Sequence, residues 1–304
     1  MQTGRRLSHL RYARDDVDFE SDGTRCAGWL YTPEGTARPP VVVMAHGFAG
    51  ERTFGLEAYA EAFVARGYAV FLFDYRGFGE SGGEPRGLVD PARQVADWEA
   101  AVDHVRRLDG VDGGQMALWG VSLSGGHVVE VAAGDPHVRA VVAQVPFLDG
   151  RAVTRAGGVG HALKGTVAGV RDLVRKYTFR APYRVPVVAD PDEFAVMNSP
   201  GARRGVLDMV PDPKTWDNAV PARTLLHMPF YRPVASAGEV DCPVLLVAGR
   251  EDEVVPASSV ESAVDEFDDA TLLSLPMGHF DGFDAAFDEL VAHEATFLDE
   301  HLPT

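Results

Sequence analysis

Four apolar runs constrain this chain more than any other feature. Val41–Ala45 (VVVMA), the centre of Tyr68–Tyr75 (YAVFLFDY), Val138–Pro146 (VRAVVAQVP) and Cys242–Arg250 (CPVLLVAGR) are strand-length and apolar at nearly every position. Segments of this kind must be covered on both faces, which an edge or half-exposed sheet cannot do. Helical patterns fall between them. One runs around Leu56–Arg66 and is closed by Gly67, where a left-handed cap is easiest for glycine. Another, Pro91–Leu108, carries proline in its first turn, where a missing N–H costs little. Further helices are expected around Ser258–Phe267 and at the C-terminal end to His301, flanking a last strand, ATLLSLP. Strands alternating with helices predict an α/β fold with a mostly parallel sheet, right-handed crossovers and helices on both faces. Ahead of these, DDVDFESDGTRCAGWLYTPEG reads as two antiparallel strands around a turn at Ser21-Asp22-Gly23.

The alternation breaks once. Residues 147–235 carry two amphipathic stretches, near Ala162–Lys176 and Arg203–Val210, with many prolines and aromatics. That is too long for a structureless loop, so a cap over the carboxyl edge of the sheet is expected. The core is then residues 1–146 and 236–304. The cap holds 13 Lys/Arg against 8 Asp/Glu, leaving about −22 on the remainder of a chain whose net charge is −17. A basic cap either neutralises the acidic body, the favoured reading, or attracts an anionic substrate. Its aromatics Phe147, Phe179, Tyr183, Phe194, Trp216, Phe230 and Tyr231 suggest an apolar pocket roof, with packing inside the cap the competing reading.

Reactive groups in a wound sheet belong on loops after the carboxyl ends of strands. The stretch Met116–Gly126 (MALWGVSLSGG) places Ser122 two residues after Gly120, between a strand and a helical segment. Such a turn lifts a serine hydroxyl clear of the backbone, as in a nucleophile elbow. Ser124 stands where glycine is usual and is itself a rival nucleophile. A serine needs a base, and His279, in LPMGHFDGF, lies on a loop just after the last strand. A carboxylate should orient that ring. Asp252, in GREDEVVP, follows the preceding strand, while Glu251, Glu253 and Asp281 are competitors read as turn or loop acids. Backbone donors for an oxyanion are expected at Leu123 and Phe48. His46 and His127 are read as structural, as are Asp74, Arg76 and Ser81.

The motifs HGF, FDYRGFGES, GVSLSGG, GREDEVVP and GH, found in this order, resemble those of the α/β-hydrolases. Nearest are capped serine hydrolases of esterase, serine aminopeptidase-like or dienelactone-hydrolase-like type. The resemblance covers about 17–147 and 241–302 and implies an acyl-enzyme mechanism without cofactor or metal. Ser122 would be nucleophile, His279 base and Asp252 its partner, acting on a small ester-type substrate; no substrate-binding residues carry over. The alternatives are a thioesterase, acyltransferase or peptide or amide hydrolase with the same three groups, or a non-catalytic binding protein on this fold.

Composition narrows partners and compartment. The acidic balance argues against nucleic acid, whose phosphates would be repelled. Only Lys164, Lys176 and Lys214 are lysine, which fits salt adaptation and high-GC coding equally. No stretch approaches the roughly 18–20 apolar residues of a membrane span. The N-terminus has charges but no apolar core of a secretory signal, and Cys26 and Cys242 lack metal-like spacing. Cytoplasm is the expected location, and a homo-oligomer stays open.

Overall fold

A computed structural model describes residues 11–302 and 304. The segment MQTGRRLSHL, on which the expectation of no secretory signal rests, lies outside them. In chain order the strands are β1 (Tyr12–Asp16), β2 (Phe19–Ser21), β3 (Thr24–Cys26), β4 (Gly28–Pro33), β5 (Pro40–Ala45), β6 (Ala69–Phe73), β7 (Asp112–Val121) and β8 (Ala140–Gln144). After them come β9 (Arg184–Pro186), β10 (Ala219–Pro221), β11 (Val244–Gly249) and β12 (Ala270–Leu275). The main helices are α1 (Leu56–Val64), α2 (Pro91–Arg106), α3 (Leu123–Gly134), α4 (Gly150–Ala156) and α5 (Val159–Tyr177). The remainder are α6 (Ala202–Met209), α7 (Thr224–His227), α8 (Ala257–Glu261) and α9 (Phe287–His301).

Eight strands form one sheet in the order β1-β4-β6-β5-β7-β8-β11-β12. The first two pairings, β1 with β4 and β4 with β6, are antiparallel, and all the others are parallel. β5, β6, β8 and β11 are buried throughout, as their nearly continuous apolar runs require, and β7 is buried from Met116 onward. Alternate residues of β5 serve the two faces. Val41, Val43 and Ala45 pack with Trp98 and Val102 of α2 and Val128 of α3. Val42 and Met44 pack with Phe63 of α1 and Leu298 of α9.

Two expectations change. The N-terminal region forms four strands rather than two. The turn at Asp22-Gly23 closes the small separate β2–β3 hairpin, while the antiparallel edge is made by β1 and β4. A three-residue hairpin is too short to show a period of its own, so the two pairs merge in the sequence pattern. The helix expected over Ser258–Phe267 is only α8 followed by a 3₁₀ turn at Val264–Glu266.

The face covered by α9 contains an ionisable group without a charged partner. Glu294 is fully buried and accepts from Trp119 Nε1 of β7 at 2.9 Å, while its Oε1 has no partner. Burial raises its pKa to about 8. Folded protein therefore keeps a proton that the unfolded chain loses near the ordinary glutamate value. The stability due to that proton is complete below about pH 4.5 and is lost progressively until about pH 8. Glu294→Gln keeps an acceptor for Trp119 and has nothing to titrate. Thermal melts should show the variant gaining on the parent between pH 5 and 8, and a constant difference across that range would refute the assignment.

Candidate active site

Ser122 sits between the last residue of β7 and the first of α3 with φ of 56° and ψ of −119°, a conformation non-glycine residues avoid. The sheet holds it there. Its N–H donates to the Gln144 carbonyl of β8 at 2.8 Å, and its carbonyl accepts from Phe147 N at 2.9 Å. Strand and helix meet so closely that a Cβ on Gly120 would lie 2.3 Å from the Ser124 carbonyl oxygen. Glycine at 120 is a steric requirement of the turn.

The hydroxyl of Ser122 lies 3.0 Å from His279 Nε2, and His279 Nδ1 lies 2.6 Å from Asp252 Oδ2. The other Asp252 oxygen accepts from the amides of Val254 and Val255 at 2.7 and 2.8 Å. With the carboxylate so fixed, Nδ1 carries the proton and donates to it, leaving Nε2 free to accept from the serine. The Asp252 and His279 side chains are both buried. Their loops touch through the backbone: Glu251 N donates to the Met277 carbonyl at 3.0 Å, and a Cβ on Gly249 would sit 2.6 Å from that same oxygen. None of the competing acids bonds the imidazole. Asp281 accepts from Gly278 N at 2.7 Å within the histidine loop, and Glu251 and Glu253 are exposed.

Ser124 is not available as a nucleophile. It is fully buried, and its Oγ accepts from the Tyr75 hydroxyl, which in turn accepts from Trp98 Nε1. His127 is buried behind the turn, with Nε2 at 3.2 Å from Gln94 Oε1 and Nδ1 at 2.6 Å from the Tyr231 hydroxyl. Donation to the Gln94 oxygen and acceptance from the tyrosine fit a neutral ring, and burial lowers its pKa to about 3. His46 is buried too. Its Nδ1 donates to the Gly47 carbonyl at 2.9 Å, its ring packs edge-on to Tyr75, and burial lowers its pKa.

Phe48 and Leu123 line the same cavity as Ser122. Leu123 opens α3, so its N–H has no carbonyl one turn back to serve. The loop bearing Phe48 crosses directly over the serine, since a Cβ on Gly47 would come 3.2 Å from Ser122 Cβ. That loop is anchored on Asp74, read from the sequence as structural, by Arg52, which has no signal in the sequence pattern. Arg52, buried, donates to Asp74 through its backbone N (2.7 Å) and Nη1 (2.5 Å), its Nη2 reaches Glu80, and its guanidinium lies over Trp29. Ser81 donates to the Asp74 carbonyl, and Arg76 pairs with Asp97, so that whole motif is structural.

The cavity above Ser122 has a volume of about 410 Å³. Its walls are largely aliphatic, with Val153, Ala162, Met197, Leu225 and Met228 from residues 147–235. The expected aromatic roof is absent: of the seven aromatics only Phe147 lines it. Phe179 and Phe230 are exposed, Tyr231 is committed to His127, and Phe54 packs on Trp216. Periodicity could not identify the wall residues, because they come from short elements joined by irregular chain. His161, Asn198 and Ser199 are polar members of the lining that sequence reasoning missed. Among the described residues no group of three or more His, Cys, Asp or Glu side chains is arranged to hold a metal ion. No helix among them is long and apolar enough to cross a membrane.

A sequence profile for the family described as X-Pro dipeptidyl-peptidase (S15 family) matches residues 22–280. The chain belongs to the S15 family. This S15 protein is a serine hydrolase. It is 35% identical over 301 residues to the quorum-quenching protein AidA of Acinetobacter baumannii (strain MDR-ZJ06), covering 99% of each chain. It is 40% identical over 135 residues to the thiohydrolase aneE of Aspergillus aculeatus, covering 44% of this chain and 42% of that one. The crystal structure of the α/β-hydrolase GrgF from Penicillium sp. sh18 superposes with a TM-score of 0.82 at 22% identity, over 96% of this chain and all of that one. The fold is therefore that of the α/β-hydrolases.

Because Gly120 faces backbone rather than a movable side chain, Gly120→Ala should destabilise the S15 protein by about 2 kcal/mol or more. Denaturant titration measures this, and an unchanged midpoint would mean that the strand–helix approach is looser than described.

Proposed function

We propose that this S15 protein hydrolyses carboxylic esters of small, largely apolar acids, with Ser122 as nucleophile, His279 as general base and acid, and Asp252 as the group that orients the imidazole. The continuous hydrogen-bonded chain from Ser122 through His279 to Asp252, opening into an apolar cavity, carries this reading. Ser122 Oγ attacks the ester carbonyl carbon as its proton passes to His279 Nε2. Negative charge gathers on the former carbonyl oxygen, which the amides of Leu123 and Phe48 receive. The intermediate collapses, and the alcohol leaves with the proton from His279. Water, deprotonated by the same nitrogen, then attacks the acyl-serine; the bond to Ser122 Oγ breaks as that oxygen takes the proton back from His279, and the free acid departs. Asp252 stabilises the imidazolium at each step without itself becoming protonated.

Residues 147–235 act as the cap in this scheme, supported by the wall residues they contribute and by the cavity's size, which suits a small molecule. Among the described lining residues Glu253 is the sole carboxylate, which favours a neutral acyl group over an ammonium-bearing peptide. Two free, buried cysteines suit a reducing compartment, and we place the enzyme in the cytoplasm. A second reading, thioester hydrolysis by the same groups, is favoured by the likeness to a protein named a thiohydrolase.

Ser122→Ala should lower turnover of short p-nitrophenyl esters by about 10³-fold or more, while Ser124→Ala should still be labelled by a fluorophosphonate. Undiminished turnover in Ser122→Ala would end the proposal. Matched oxygen and sulfur esters of one acid, compared by kcat/KM, decide between the two readings.

A further inference from the structure

Helix α5 has two unlike long faces. On one, Gly165 and Gly169 let it pack tightly on α7, where added Cβ atoms would meet Leu225 at 3.3 Å and Leu226 at 2.6 Å. Asp172 on this side is fully buried and receives Arg223 through Nε and Nη2, together with Tyr183 N. His161, Ala162 and Gly165 complete this inner side by lining the cavity, and Thr166, which is exposed, lies at the cavity's margin between the two faces. The opposite face is bare. Val159, Leu163, Val167, Val170, Val174 and Tyr177 are 49–86% exposed, although all but one are aliphatic.

From Leu163 onward the bare residues are spaced four, three, four and three apart. That is a coiled-coil seam, with Leu163, Val170 and Tyr177 in one set and Val167 and Val174 in the other. The band is narrow and rich in valine, which suits the groove of another helix better than the broad, bulky apolar face of a helix lying in a bilayer. β-Branched residues in one set, opposite a leucine-bearing set, favour two strands. The six side chains expose roughly 600 Å² together, at the upper end of what a monomer leaves bare. With their flanks they approach the roughly 800 Å² per partner of a stable interface.

We propose that the exposed face of α5 is the dimer interface of this protein and that its occupant is α5 of a second copy, lying parallel about a two-fold axis along the helix. Charge sets the direction. Lys164 and Arg171, the latter stacked over Tyr183, flank the seam on one side only, and Val159, Thr166 and Leu173 flank the other. An antiparallel pair sets the two basic edges against each other. A parallel pair sets Lys164 beside Val159 of the second copy and Arg171 beside its Thr166, so no like charges meet. Since α5 also lines the cavity, pairing braces one wall of the substrate site.

Sedimentation equilibrium at tens of micromolar protein should give twice the chain mass of 32.8 kDa for the parent and a single chain mass for Val167→Glu/Val174→Glu. Both sites are exposed, so far-UV circular dichroism should be unchanged. Leu163→Cys should cross-link to its counterpart under mild oxidation, because position 163, near one end of the seam, meets itself only when the two helices run parallel. Cys26 and Cys242 are buried and stay out of that reaction. A monomeric parent, a dimer that survives the double glutamate variant, or a monomer that floats with phosphatidylglycerol vesicles would overturn the interface. A dimer lost in the double glutamate variant, with no cross-link in Leu163→Cys, would overturn the parallel arrangement.

Discussion

The approach of β7 to α3 at Ser122 constrains everything around it. A non-glycine residue at φ of 56° and ψ of −119° costs on the order of 1–3 kcal/mol and persists only where its surroundings leave no alternative. The neighbouring strand supplies that constraint, because β8 takes the Ser122 N–H and the chain leaving β8 returns an N–H to the Ser122 carbonyl. Gly120 makes the contact sterically feasible, and the buried position of β7 between β5 and β8 makes it rigid. The hydroxyl is thus positioned by the middle of the sheet and not by a mobile loop.

The remaining groups are brought to that fixed point by loops that are themselves tied down. Asp252 is held by two amides, and its loop shares backbone contacts with the histidine loop, so the two loops are tied to each other. The loop over the serine is pinned differently, by the buried Arg52–Asp74 pair. Removing one partner of such a pair leaves an uncompensated buried charge, so Arg52 and Asp74 support the site without touching it. His46 and His127 are both held away from protonation by burial and serve as spacers and hydrogen-bonding partners.

The ion pairs that residues 147–235 make are all among themselves: Arg223–Asp172, Arg232–Asp149, Arg184–Asp217, Arg203–Asp190 and Arg204–Asp208. No ion pair among the described residues joins residues 147–235 to the rest. Direct pairing with the acidic body is therefore not what the excess arginines do. Helix α5 instead separates two tasks on one cylinder, with glycines and polar residues turned to the cavity and an apolar seam turned outward.

Much of this was legible in the chain. Continuous apolar runs require strands buried on both faces, alternation with helices requires a wound parallel sheet, and that topology sends Ser122, Asp252 and His279 to one edge. Each of those inferences rests on local pattern plus a general packing rule. Other outcomes were decided only by tertiary contact. The spacing from Gly120 favoured Ser122 over its rival Ser124, but only tertiary contact shows why: Ser124 is bonded to Tyr75, itself held by Trp98, while the His279 ring lies beside Ser122. The cavity walls were likewise hidden, because short elements without a period gain their arrangement from what they pack against. Sequence by itself determined the fold and the three groups that meet at its edge. The tertiary structure alone decided what buries Ser124, what walls the cavity above Ser122 and which helix face is left bare, because each depends on distances between residues far apart in the chain.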